Sequence, residues 1–152
     1  MSVFEKLISE FAMMTGLEIA PDVNESCTLE SNGVIITIQY RSDADDVVIF
    51  APLAIPENGS YSRSAYEKAL SLAYDGQGTG GAFLGLFDGA LILSLHLSME
   101  GLDAPTLGVR LTAFADAAES LNAEIAVVPE DVAEPARIDG LDFSCNQTSI
   151  RV

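Results

Sequence analysis

The sequence predicts an α+β fold in which an antiparallel, twisted sheet is packed by helices. Three observations predict it. In three separate segments apolar residues recur at three- and four-residue steps, the period of an amphipathic helix. Elsewhere the chain switches to alternation or to short apolar runs, as strands do. Asn32-Gly33 and Asp88-Gly89 each stand between such runs, and these dipeptides favour tight hairpins. The resulting order is helix, three strands, helix, two strands, helix. Strands grouped as a meander and a hairpin favour α+β over a parallel α/β fold.

Each element has its own warrant. Over residues 3–15, Val3, Phe4, Leu7, Ile8, Phe11 and Met14 share a face, and Gly16 stops the helix. Ser26 to Glu30 is a short strand. In VIITIQY, Val34, Ile36, Ile38 and Tyr40 lie on one side. The polar turn 41–46 leads to VVIFAPL at 47–53, a strand apolar on both faces. Ser64-x-x-Glu67 matches a capping box and places a second helix through Tyr66, Ala69, Leu70 and Ala73 to about Tyr74. AFLGLF (82–87) and ALILSLHL (90–97) form the hairpin. Asp103 caps a last helix with Pro105 in its first turn. Leu107, Leu111, Phe114, Ala118, Leu121 and Ile125 make its packing seam. The domain is expected to span 1–125. Residues 126–152 read as an acidic, proline-containing tail open to partial disorder, whose end LDFSCNQTSIRV could add a strand.

Composition narrows the function. The 152 residues are 49% hydrophobic and 20% charged, enough apolar matter for a sizeable core. There are 23 acidic and 7 basic residues, a formal charge of -16. Nucleic-acid binding needs clustered Lys and Arg to neutralise phosphates, and here they are scattered. Anionic membrane surfaces are disfavoured for the same reason. MSVFEKLISEF lacks the basic start and apolar run of a signal peptide, and no run approaches a membrane span. Cys27 and Cys145 give neither metal spacing nor a disulfide framework, so both read as free thiols in a reducing cytoplasm.

Catalytic and cofactor motifs are weak. Gly76, Gly78 and Gly81 fit G-x-G-x-x-G. A dinucleotide loop follows a strand and opens a helix, whereas this one follows a helix and opens a strand. Phosphate would meet the negative end of the helix dipole. Gly76 therefore reads as a left-handed helix terminator. His96 has no second histidine for a metal and no nucleophile paired with it. Asp43, Asp45 and Asp46 lack the Gly and distant Glu of a calcium loop and read as a solvated turn. No catalytic residue, cofactor or metal is expected.

What stands out is surplus apolar surface. Ile35 faces away from Val34 and Ile36; Val48 and Phe50 face away from Val47, Ile49 and Leu53; Ile92 faces away from Leu91, Leu93 and Leu95. Helices on one side of a small sheet cannot cover both sets. Either the tail or helices cover the surplus residues, or the second face meets another chain, in a dimer or as a bound peptide.

The whole pattern resembles the class I type III secretion chaperones, the Tir-chaperone type, over roughly residues 3–125. FEKLISEFAMMTGLEI is similar to that family's first helix and closing Gly-Leu, and ESCTLESNGVIITI to its strand pair. GTGGAFLGLFDGALILSLHL is similar to its Gly-Gly-x-x-Leu-Gly hairpin, and MEGLDAPTLGVRLTAFADAAESL to its final helix. The chain departs at Ala73-Tyr74, where many relatives carry Asn, and near Leu121, where many carry Trp.

The resemblance implies a cytoplasmic homodimer that wraps the N-terminal, non-globular segment of one or more effectors. It keeps that segment secretion-competent and presents it to the export machinery, including an export ATPase. By the family's layout, Phe4, Ile8, Ile35, Val48 and Phe50 are effector-binding candidates. Tyr66, Leu70, Tyr74, Ile92 and Ser94 are dimer-interface candidates. The competing reading is a small regulatory or signalling binding protein on the same fold.

Overall fold

A computed structural model describes residues 1–56, 59–74 and 76–126. Its elements are α1 (Val3–Thr15), β1 (Ser26–Ser31), β2 (Val34–Arg41), β3 (Asp46–Pro52), α2 (Arg63–Ala73), β4 (Phe83–Phe87), β5 (Ala90–Ser98) and α3 (Ala104–Ala126). The expected order holds. All strands pair antiparallel, in the order β1-β2-β3-β5-β4. The hairpin thus joins the meander through β5, and β1 and β4 are the sheet's edges. Of the expected tail, Ala126 ends α3, and the strand expected in LDFSCNQTSIRV lies outside the described residues, as does Cys145.

Local chemistry accounts for the element ends. Ser2 begins α1 with a reciprocal capping box: its hydroxyl accepts from the Glu5 N–H at 3.1 Å, and its own N–H donates to the Glu5 carboxylate. Gly16 closes α1 at φ 77°, its N–H donating to Ala12. Asn32 (φ 53°) with Gly33 (φ 81°), and Asp88 (φ 52°) with Gly89 (φ 82°), adopt the doubly positive turn that matches strand twist. Asp103 accepts from the Thr106 N–H at 2.9 Å and caps α3; hydrogen bonding from the Thr106 side chain, then from its backbone, holds the Asp103 carboxyl below the usual range.

The start of α2 corrects the expected capping box at Ser64 and Glu67. Ser62 is the cap, its hydroxyl accepting from the Ala65 N–H at 3.1 Å. Glu67 instead accepts from Arg63 at 2.9 Å, one turn along the surface. The helix starts two residues earlier than the pattern implied, because Ser62 already has the extended backbone a cap requires. Ser62→Ala should therefore lower stability by about 0.5–2 kcal/mol. Urea unfolding will show this as a lower midpoint at unchanged slope.

One face of the sheet carries the core. Val34, Ile36 and Ile38 of β2, Val47, Ile49 and Ala51 of β3, and Leu91, Leu93, Leu95 and Leu97 of β5 are buried there. The stripes of the helices join the same cluster: Phe4, Leu7, Ile8 and Phe11 from α1, Ala65 and Ala69 from α2, and the whole expected seam of α3. α3 lies between α1 and α2. Its far end is fastened by Asn122, which accepts from the Ala54 N–H at 2.8 Å, and by Lys68–Glu124 at 3.5 Å. Cys27 is buried in this core as a free thiol, and burial pushes its pKa up to about 11, with Asp22 adding to the rise.

The glycine stretch is the joint between α2 and β4. Gly76 takes the left-handed conformation at φ 80°, as the sequence predicts. The backbone donors are spent locally: Gly80 on Gln77, Gly81 on Gly76 and Ala82 on Thr79. Gly78 packs so closely on the Leu72 carbonyl that a Cβ would collide with its oxygen. Thr79 is buried, its hydroxyl donating to the Gly76 carbonyl.

Candidate partner-binding site

With the helices on one side, the opposite face of the sheet has no cover among the described residues. Its side chains follow from the register. Phe50 of β3 stands opposite Thr37 of β2 and Ser94 of β5. Val48 stands opposite Gln39 and His96. Ile92 lies beside Gly85, and Phe83 beside Ser94, on the edge strand. Ile35 is 46% exposed, Phe83 68% and Phe87 65%. Phe50, Ile92, Ser94, Gly85, Leu86 and Phe87 line a shallow pocket of about 440 Å³. The absence of a side chain at Gly85 exposes the backbone of β4 in its wall.

This arrangement regroups the sequence candidates. Ile35, Val48 and Phe50 share the open face with Ile92 and Ser94, and Phe50 shares a pocket with the last two. Three effector candidates and two dimer candidates thus fall on one surface, while Tyr66, Leu70 and Tyr74 belong to α2 and its end. Phe4 and Ile8 are corrected: both are 0% exposed, and they fasten α1 to the sheet instead of offering a contact. Period alone could not separate the two roles, since an apolar helical stripe looks the same under a sheet or under a partner. Tyr66 is half-buried, near Tyr61 and with its hydroxyl 3.5 Å from the Gly89 carbonyl. Leu70 and Tyr74 point outward, Tyr74 at 91% exposure.

The polar end of the open face is organised around Asp46. Arg41 grips its carboxylate with two nitrogens, at 2.8 and 2.6 Å. His96 Nδ1 lies 3.5 Å away, and Phe83 meets the imidazole edge-on. The Arg41 hydrogen bond is the main reason the Asp46 carboxyl is held below its ordinary range. Asp43 is exposed, as the expected solvated turn requires, but exposed Asp45 accepts from the Tyr40 hydroxyl at 2.9 Å and Asp46 is recruited into an ion pair. Among the described residues no group of three or more His, Cys, Asp or Glu could hold a metal ion. No helix among them is long and apolar enough to cross a membrane.

A second apolar surface was not anticipated. A groove of about 970 Å³ runs between the end of α1, the edge strand β1 and the first half of α3. Exposed Met14, Leu17 and Val109 form its lips, and Gly108 its floor. The available signal was Gly108 itself, a glycine inside a helix that would be more stable with alanine.

Comparison with known proteins agrees with this geometry. The model of the Tir chaperone protein (CesT) family matches residues 6–122. No curated protein matches the chain. Among solved structures, a chain of the ExsC–ExsE complex superposes with a TM-score of 0.68 at 16% identity, covering 82% of this chain and 97% of that one. The Yersinia pestis type III secretion chaperone SycH, solved with a stable fragment of YscM2, gives 0.60 at 20% identity, covering 78% and 99%. A chain of the HopA1–SchA chaperone–effector complex gives 0.62 at 15% identity, covering 79% and 93%. At these identities the likeness is one of fold.

Proposed function

We propose a function from the premise that the chain belongs to the Tir chaperone protein (CesT) family: it is a cytoplasmic type III secretion chaperone. It binds the N-terminal, non-globular segment of one or more effectors as a homodimer. It keeps that segment secretion-competent and delivers it to the export apparatus, whose ATPase is a further partner. The role is one of binding, with no catalytic step, cofactor or metal.

The observation that carries this reading is the open apolar face of the sheet, on a chain of formal charge -16. Contiguous apolar surface of this kind marks an interaction site, and the charge keeps the unloaded protein soluble. Edge strand β1 pairs on one side only, so an extended segment can add to it through main-chain hydrogen bonds. Ordering such a segment costs about 2–5 kcal/mol, which large apolar contacts must offset. Ile35, Val48 and Phe50 serve as cargo contacts. Tyr66, Leu70 and Tyr74 of α2, with Ile92 and Ser94, serve the dimer. The relatives SycH and SchA support the reading because each was solved with a bound partner.

Co-expression with the N-terminal segment of a secreted protein encoded beside this chain tests it. The segment should co-purify with a dimer and resist protease. If the chain runs as a strict monomer and the segment is as protease-sensitive as when alone, the reading fails.

A further inference from the structure

We infer that residues 141–145 of this same chain, Leu-Asp-Phe-Ser-Cys, dock as an added strand on the outer edge of β4. Phe143 fills the pocket over Gly85, and the chain thereby covers part of its own open face until a partner displaces the strand. The docking rests on the open face alone; its role as a guard of the binding surface rests on the secretion-chaperone reading.

The edge has the shape of a strand acceptor. Among the described residues β4 pairs with β5 on one side only, and the outer row of backbone groups on such an edge is a template for another strand. The register puts Phe83, Gly85 and Phe87 on the open face, beside Ser94, Ile92 and Ala90. Both rings are exposed, and Gly85 leaves a notch between them, where a Cβ would meet nothing within 4 Å. Phe50 and Ile92 line the same pocket. An aromatic side chain on a neighbouring strand covers an edge glycine of this kind.

Pattern, reach and charge select the occupant. Leu141, Phe143 and Cys145 alternate with Asp142 and Ser144, so in a strand the first three share one face. Near the end of α3, Asn122 accepts from the Ala54 N–H at 2.8 Å. Ala54 lies just beyond Pro52, which pairs with Ile92. α3 thus ends beside the end of the sheet at which the pocket opens. Residues 127–140 can span about 45–50 Å when extended, whereas a packed layer is only about 10 Å thick. Tethered at that distance, the segment meets the pocket at roughly millimolar effective concentration, so even weak docking holds it. Charge then chooses between the two apolar surfaces. Asp139 and Asp142 accompany the segment. The groove between α1, β1 and α3 has Glu30 and Asp116 in its lining and repels it, while no charged side chain lines the pocket.

Cys145 reports the docking. Cys27 is buried and its thiol is pushed up to about 11, so N-ethylmaleimide labels Cys145 first. Labelling of the full chain is followed by mass. Cys145 should react about fivefold or more slowly in the parent than in Phe143→Ser or Gly85→Val, as protection by local docking requires. Gly85→Val fills the notch from below in open space, and valine suits a strand, so its circular-dichroism melt should match the parent's or rise. The slow rate should persist on about tenfold dilution, as a tether within one chain demands. Val109→Asp, on the lip of the other groove, is the control and should leave the rate unchanged. The proposal is overturned if Cys145 reacts equally fast in the parent and both variants. It is also overturned if dilution alone releases the thiol, which would mean that a second copy supplies the strand, or if Val109→Asp releases it. Should Gly85→Val melt early, Phe143→Ser alone decides. Cargo that co-purifies while Cys145 reacts alike in all variants sinks the docking and leaves the chaperone reading; a protected Cys145 with no cargo captured by any variant sinks the chaperone reading and leaves the docking.

Discussion

Phe4→Ala is expected to destabilise the chain by about 3–5 kcal/mol, the cost of truncating a buried phenylalanine. Phe4 has no exposed surface. Its ring stacks on Tyr40, with centroids 5.8 Å apart and an interplanar angle of 12°. Truncation removes that contact and leaves a cavity where α1 meets β2. Domains of this kind have about 5–15 kcal/mol of stability in total, so the loss takes a large share of it. Urea unfolding measures the effect. Were Phe4 a cargo contact, the variant would unfold like the parent and fail only in binding. A loss below about 1 kcal/mol with cargo capture abolished would restore Phe4 to the binding surface.

The second large effect lies on the open face. Phe50→Asp should cost about 1–2 kcal/mol of stability, since the ring is half-buried among its neighbours. Its effect on assembly should be much larger. An aromatic anchor at the centre of an interface is worth about 2 kcal/mol or more, roughly thirtyfold in affinity. Because Phe50, a cargo contact, shares a pocket with Ile92 and Ser94 of the dimer surface, Phe50→Asp and Ile92→Asp should each weaken both cargo capture and the dimer. Light scattering for the dimer and co-purification for the cargo distinguish the cases. If Phe50→Asp lost only cargo and Ile92→Asp lost only the dimer, the continuous surface would divide into two independent sites.

Much of the fold was legible because local rules and tertiary packing agree. Asn32-Gly33 and Asp88-Gly89 specify their turns through positive φ at both residues. The seam of α3 is one continuous stripe, and every residue of it is buried. At the start of α2 the local rule misled, since Ser62 and Ser64 both suit a cap and only the chain entering the helix chooses between them. The binding surfaces were half legible. Alternation correctly put Ile35, Val48, Phe50 and Ile92 opposite the core. It could not show that β5 lies next to β3, and this pairing is what brings Phe50 and Ile92 together.

By itself, then, the sequence determined the elements, their order and the existence of a second apolar face, because period and turn chemistry act over a few residues. It also marked the family, through the order of its segments. Only the tertiary structure decided that Phe4 and Ile8 belong to the core, that Phe50 shares a pocket with Ile92 and Ser94, and that α1, β1 and α3 enclose a groove over Gly108. Those facts depend on which surfaces meet across long stretches of chain. An apolar residue carries no local sign of whether its partner lies inside the molecule or outside it.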